Sequence, residues 1–267
     1  LKPYFPQQMV VQGMFDVVSR LFDVSIEQTD GVDTWHPDVL FYEIRNRDGG
    51  LVGQFYLDLY ARPKKRGGAW MDSYASRMSG ADTTQVPVAY LTCNFTPPIG
   101  DQPALLTHDE VITLFHEFGH GIHHMLTRIG IPSVAGINGV AWDAVELPSQ
   151  FMENWCWEKD ALALISGHHL TGECLPDVLF ERMQAARNFQ SAMQMVRQLE
   201  FALFDMRIHL EHDPQIDRQI DSILAEVRDR VAVVKPPAFN RFAHSFSHIF
   251  GGGYAAGYYS YKWAEVL

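Results

Sequence analysis

The sequence predicts a mainly α chain with a small antiparallel β-sheet, an α+β fold. Three observations lead there. Between about residues 39 and 95 the apolar residues fall into runs of strand length. Beyond Thr107 they recur every three or four residues, the helical period. Gly- and Pro-rich breaks at 129–139, 166–176 and 235–237 cut that second part into separate helices. A chain of 267 residues buries a substantial core, and one domain over 1–267 is the simpler expectation.

Taken in order, residues 39–45, Leu51–Tyr60 and Val88–Phe95 read as strands. Asp48-Gly49-Gly50 supplies a hairpin turn between the first two. Thr107-His108-Asp109-Glu110 then reads as a capping box, in which the Thr hydroxyl takes the N–H three residues on and Glu110 reaches back, so a helix should start there. Residues 176–212 carry Leu179, Met183, Phe189, Met193, Leu199 and Met206 at helical spacing, and such a stripe predicts core packing, not chemistry. A last helical run is expected from Tyr254 to Leu267. No internal repeat or low-complexity tract interrupts the chain.

Composition narrows the function. The 47% hydrophobic and 20% charged content is that of an ordinary globular protein. No apolar run approaches the roughly 18 residues that span a bilayer, and a net charge of -11 opposes a phosphate backbone. Neither a membrane nor a nucleic-acid partner is expected. The basic cluster at 62–66 reads as a solvated loop, with a substrate-carboxylate contact as the lesser alternative. Three widely spaced cysteines, Cys93, Cys156 and Cys174, form no C-x-x-C pair, which predicts neither a disulfide framework nor a thiolate metal site and fits a reducing cytoplasm. The chain opens without Met and closes inside an apparently helical run, so it reads as a fragment of a longer one.

The motif that carries chemistry is His116-Glu117-Phe118-Gly119-His120. At 100° per residue, Val111, Leu114, Phe115, Phe118, Ile122 and Met125 fall within about 160–260° of His116 and form the core stripe. His116 and His120 lie opposite it, one turn apart, so both imidazoles can reach one point. Two imidazoles so placed suit one Zn2+, and Glu117 stands beside the ion as general base for its water. A third ligand is needed. His123 is about 10.5 Å along the helix from His116, too far to share an ion. After the glycine-rich loop at 129–140, a second helix should carry Asp143, Glu146, Gln150 and Glu153 on one face. Glu146 is the expected ligand there. Asp143 serves either as an outer-shell carboxylate for a zinc histidine or as a helix N-cap, and Glu153 is expected to be structural.

His116 to His120, with Val145-Glu146-Leu147-Pro148-Ser149-Gln150, Glu153-Asn154-Trp155, the Lys65–Trp70 segment and the stretch 248–266, resembles the thimet oligopeptidase family of zinc metallopeptidases. It is nearest the bacterial members. The resemblance implies a zincin-like catalytic domain, the C-terminal part of a longer chain, that hydrolyses internal bonds of short unstructured peptides. It also implies that Glu146 is the third zinc ligand and that a missing N-terminal part supplies one wall of a substrate channel. Val88–Phe95 would be the sheet edge along which peptide lies, as the bracketing Pro87, Pro97 and Pro98 allow. Tyr254, Tyr258 and Tyr261, spaced to share one helical face, follow three glycines. The family points to Tyr261 as donor to the oxyanion, with Tyr254 and His248 helping to hold substrate or transition state; His244, Tyr258 and Tyr259 are expected to be structural. A zinc-stabilised peptide-binding fragment that has lost catalysis is the alternative expectation.

Overall fold

Helix α1 (Gln7–Phe22) buries Val10, Met14, Phe15, Val17 and Val18, whose three- and four-residue spacing makes one apolar face. It opens a computed structural model that describes residues 1–266. Contacts divide the chain into two units, Leu1–Val140 with Pro148–Gln184, and Ala141–Leu147 with Ala185–Leu267. Among the described residues no helix is long and apolar enough to cross a membrane.

The first unit holds a sheet of β1 (Val24–Gln28), β2 (Leu40–Asn46), β3 (Leu51–Tyr60), β4 (Trp70–Ala75) and β7 (Val88–Phe95), beside a short hairpin of β5 (Met78–Ser79) and β6 (Thr84–Gln85). The strand order is β1-β2-β3-β7-β4. Two expectations are corrected. The sheet is mixed, because β3 and β7 run parallel, with Tyr56 opposite Tyr90 and Leu57 opposite Leu91. Val88–Phe95 is also not an edge: β4 pairs with its other side. The chain leaves β3, forms β4 at the sheet's border and returns between them, and apolar spacing says nothing about which neighbour a strand takes. β7 is buried over most of its length, as a parallel interior strand is.

Helix α2 (His108–Met125) packs on this sheet, and its expected stripe from Val111 to Met125 is buried. Phe15, Phe55 and Phe118 meet edge-on or tilted at 5.4–6.0 Å between α1, β3 and α2. Helices α3 (Leu147–Glu153), α4 (Lys159–Ile165) and α5 (Asp177–Ala186) follow.

The basic cluster is solvated only in part: Lys64 and Arg66 are exposed, but Arg62 and Lys65 are not. The Lys65 side chain is buried and its ammonium donates to Asp58 Oδ1 at 2.8 Å and to the carbonyls of Asp58, Tyr60 and Cys93. Arg62 forks onto the same carboxylate at 2.6 and 2.8 Å. A buried Asp58 requires such countercharge.

The second unit holds α6 (Ser191–Glu211), α7 (Gln219–Val231), α8 (Phe242–Ser245), α9 (Ser247–Gly251) and α10 (Ser260–Val266). Phe204, Ile208, Ile223, Val227, Phe246 and Ile249 form its core. The expected stripe over 176–212 does not hold. The chain breaks after α5, where Gln190 has φ 55°, and α6 begins in a new phase. Met183 stays buried, but Phe189 is 74% exposed and Met193, Leu199 and Met206 are exposed too. The run expected from Tyr254 also shortens: residues 254–259 form turns and the helix starts at Ser260. Its expected last residue, Leu267, lies outside the described residues.

Candidate metal centre

The capping box at Thr107 forms as expected. Glu110 N–H donates to the Thr107 hydroxyl at 3.1 Å, and Thr107 N–H donates to the Glu110 carboxylate at 2.7 Å. With the helix started there, its phase sets where His116, Glu117 and His120 stand. The His116 and His120 rings lie 5.0 Å apart and nearly perpendicular. Glu117 and His120 are buried, although each is polar.

The segment meant to carry the third ligand is less regular than expected. A single 3-10 turn spans Trp142–Ala144, and α3 begins only at Leu147, one residue after Glu146. Pro148 is tolerated there because the first turn of a helix has no N–H partner to lose. Gly119 explains how close α3 comes to α2. A Cβ at that position would stand 2.6 Å from the Pro148 carbonyl oxygen and 2.6 Å from Ser149 Cα. Only glycine admits backbone at that distance.

Glu146 is fully buried. One donor atom from each of His116, His120 and Glu146 lies within 4.8 Å of the others. The Tyr254 hydroxyl also donates to Glu146 Oε1.

Sequence reasoning missed one partner and misplaced another. Glu153, expected to be structural, takes the Nδ1–H of His116 at 2.7 Å. That contact fixes the tautomer, leaving the Nε2 lone pair for a metal, which is what an outer-shell carboxylate does. Asp143 is neither alternative foreseen for it. It sits inside the 3-10 turn, whose N-cap is Ala141, and its Oδ2 is 3.4 Å from the Tyr259 hydroxyl. The shared helical face from 143 to 153 that suggested its role does not exist, since the chain there is a turn and then a helix. One clue to Glu153 was available: it lies two turns beyond Glu146, on the same side of α3 if the helix has already begun.

The tyrosines converge, although not on one helical face. The Tyr254 and Tyr261 rings stack at 5.1 Å, and Tyr258 lies 5.0 Å from Tyr261. The His248 ring is 6.2 Å from Tyr254 and 6.3 Å from Tyr261. Trp142, unremarked in the sequence, stacks on Tyr254 at 5.0 Å and donates its indole N–H to the Gly253 carbonyl. Burial pushes the Tyr261 phenol far above its usual pKa, with Glu146 and Tyr254 adding to the effect. Tyr258 is raised to about 12, mainly by burial, and its hydroxyl meets Gln198 at 3.0 Å. Of the other histidines, fully buried His124 is held by the Ala75 carbonyl at 2.9 Å. His244 lies in α8.

Comparison with known proteins gives relatives at high identity. Oligopeptidase A of Salmonella typhimurium strain LT2 and of Escherichia coli strain K12 are each 60% identical over 268 residues, covering 100% of this chain and 39% of the relative. Dipeptidyl carboxypeptidase of Escherichia coli strain K12 is 37% identical over 273 residues, again covering 100% of this chain and 39% of the relative. The chain therefore spans 39% of the length of the bacterial proteins it matches. The model for peptidase family M3 matches residues 1–267, taking in α2, Glu146 and the tyrosine turn alike, and the chain belongs to that family.

Proposed function

We propose that this chain is the zinc-binding catalytic part of a peptidase that hydrolyses internal bonds of short, unstructured peptides. The donor trio of His116, His120 and Glu146, within 4.8 Å of one another, carries the proposal. Two imidazoles and a carboxylate make a donor set that suits catalytic zinc and leaves one position for water, whereas a structural site closes its shell with four protein ligands. When bound, zinc lowers the pKa of a water to around 7 and polarises the scissile carbonyl.

The chain's own groups divide the remaining work. His116, His120 and Glu146 hold the ion, and Glu153 orients His116. Glu117 takes a proton from the attacking water and passes it to the leaving amine. Tyr261 donates its O–H to the developing oxyanion, a role supported by its stacking on Tyr254, whose hydroxyl meets Glu146. His248 and Tyr254 help to hold substrate or transition state. The length that the relatives have beyond this match supplies a wall of the channel. A cytoplasmic setting, supported by three free cysteines, is checked by cell fractionation.

Metal analysis with an internally quenched peptide tests the proposal. About one zinc per chain and chelator-sensitive cleavage are expected, and Glu146→Ala should lower the zinc content. Cleavage indifferent to chelator refutes the metal reading, and a fully loaded Glu146→Ala protein refutes the third ligand. The alternative is a zinc-stabilised peptide binder without catalysis. Zinc loading and peptide binding without cleavage is the result that reading requires.

A further inference from the structure

The turn between α9 and α10 is held from α6 by a carboxylate with no solvent exposure. Asp205 Oδ1 accepts the N–H of Ala256 at 2.8 Å, and Oδ2 accepts the N–H of Tyr258 at 2.9 Å. His209, one turn further along α6, places Nδ1 2.9 Å from Asp205 Oδ1. Gln198, two turns before Asp205 on the same side, meets the Tyr258 hydroxyl. The backbone so held is one an unassisted chain avoids. Ala256 has φ 53°, in the left-handed region that a side chain with a Cβ disfavours. Gly253 has φ 86°, and a Cβ there would stand 2.6 Å from the Trp142 ring.

We propose that Asp205 is a positioning residue for the peptidase reaction: its two hydrogen bonds set the turn that delivers Tyr254 and Tyr261. The inference rests on the reading that Tyr261 donates to the oxyanion. A carboxylate is the side chain suited to the task, because two converging N–H groups need two acceptor oxygens on one carbon. Asparagine offers one oxygen and turns an NH2 toward the other N–H. At a fully buried position, that mismatch opens one side of the turn.

Three measurements on the full-length protein test this. In the unmutated protein, hydrogen exchange at the Ala256 and Tyr258 amides should be slowed at least about 100-fold relative to an unstructured chain; exchange at the unstructured rate overturns the clamp whether or not any variant folds. Asp205→Asn should lower kcat about 10- to 100-fold at unchanged zinc content, with KM within about threefold, because the donor acts in the transition state. An unchanged kcat overturns the proposal. In a Tyr261→Phe background the same change should cost less than about threefold, since its effect passes through that phenol; equal losses in both backgrounds overturn the positioning role. If the unmutated protein binds zinc but cleaves nothing, the hydrolytic reading fails, and if Tyr261→Phe costs nothing, the oxyanion role of that phenol fails; in either case amide exchange still decides whether Asp205 holds the turn.

Discussion

Helix α2 and the turn from Gly251 to Ser260 both gather polar side chains, yet they reach their geometry differently. In α2 the donors stand four residues apart on a chain whose N–H groups bond to its own carbonyls. Side-chain direction there follows from spacing. The Tyr254 to Tyr261 spacing suggests the same, but the backbone between them is a sequence of turns with positive φ at Gly253 and Ala256. Its rings meet because Trp142 stacks on one side and Asp205 holds the other. A helix carries its own scaffold; a turn of this kind borrows one from residues that are remote in sequence.

Substitutions in and around α2 bear on that difference. The largest expected effect is Glu117→Gln, which should keep zinc and lower turnover by about 10²-fold or more in a peptide-cleavage assay. Unchanged turnover would remove Glu117 as general base. Next is Glu153→Ala, expected to weaken zinc affinity about 10- to 100-fold in competition with a chelator. An unaffected affinity would make the His116 contact incidental and return α2 to a site set by spacing alone. Gly119→Ala should destabilise the protein by about 1–3 kcal/mol in urea unfolding, because the new methyl meets backbone on α3. A neutral result would show that the two backbones can part without loss. The smallest is Thr107→Ala, about 1 kcal/mol by the same measurement, for the loss of the cap. No change would mean that packing, not capping, fixes where α2 starts.

Much of the first unit was legible. The cap at Thr107, the α2 stripe and the bounds of β3 and β7 all depend on interactions between near neighbours, which a linear sequence displays. The direction in which β7 meets β3, and the entry of β4 at its other side, do not leave such a trace. Lys65 read as solvated because its four acceptors come from β3 and β7, up to 28 residues away along the chain. Glu153 read as structural for the same reason: the histidine it orients is on another helix.

By itself the sequence determined that one helix begins at Thr107, which of its faces turns to the core, and that His116 and His120 share the other face with Glu117 nearby. These follow from a hydrogen-bond ladder four residues long, repeated. Tertiary structure alone decided which carboxylate supports His116, that Gly119 lies against the Pro148 backbone, and how Trp142 and Asp205 frame the tyrosines. Each of those is a contact between groups distant along the chain, and its geometry comes into being only when burial brings the elements together.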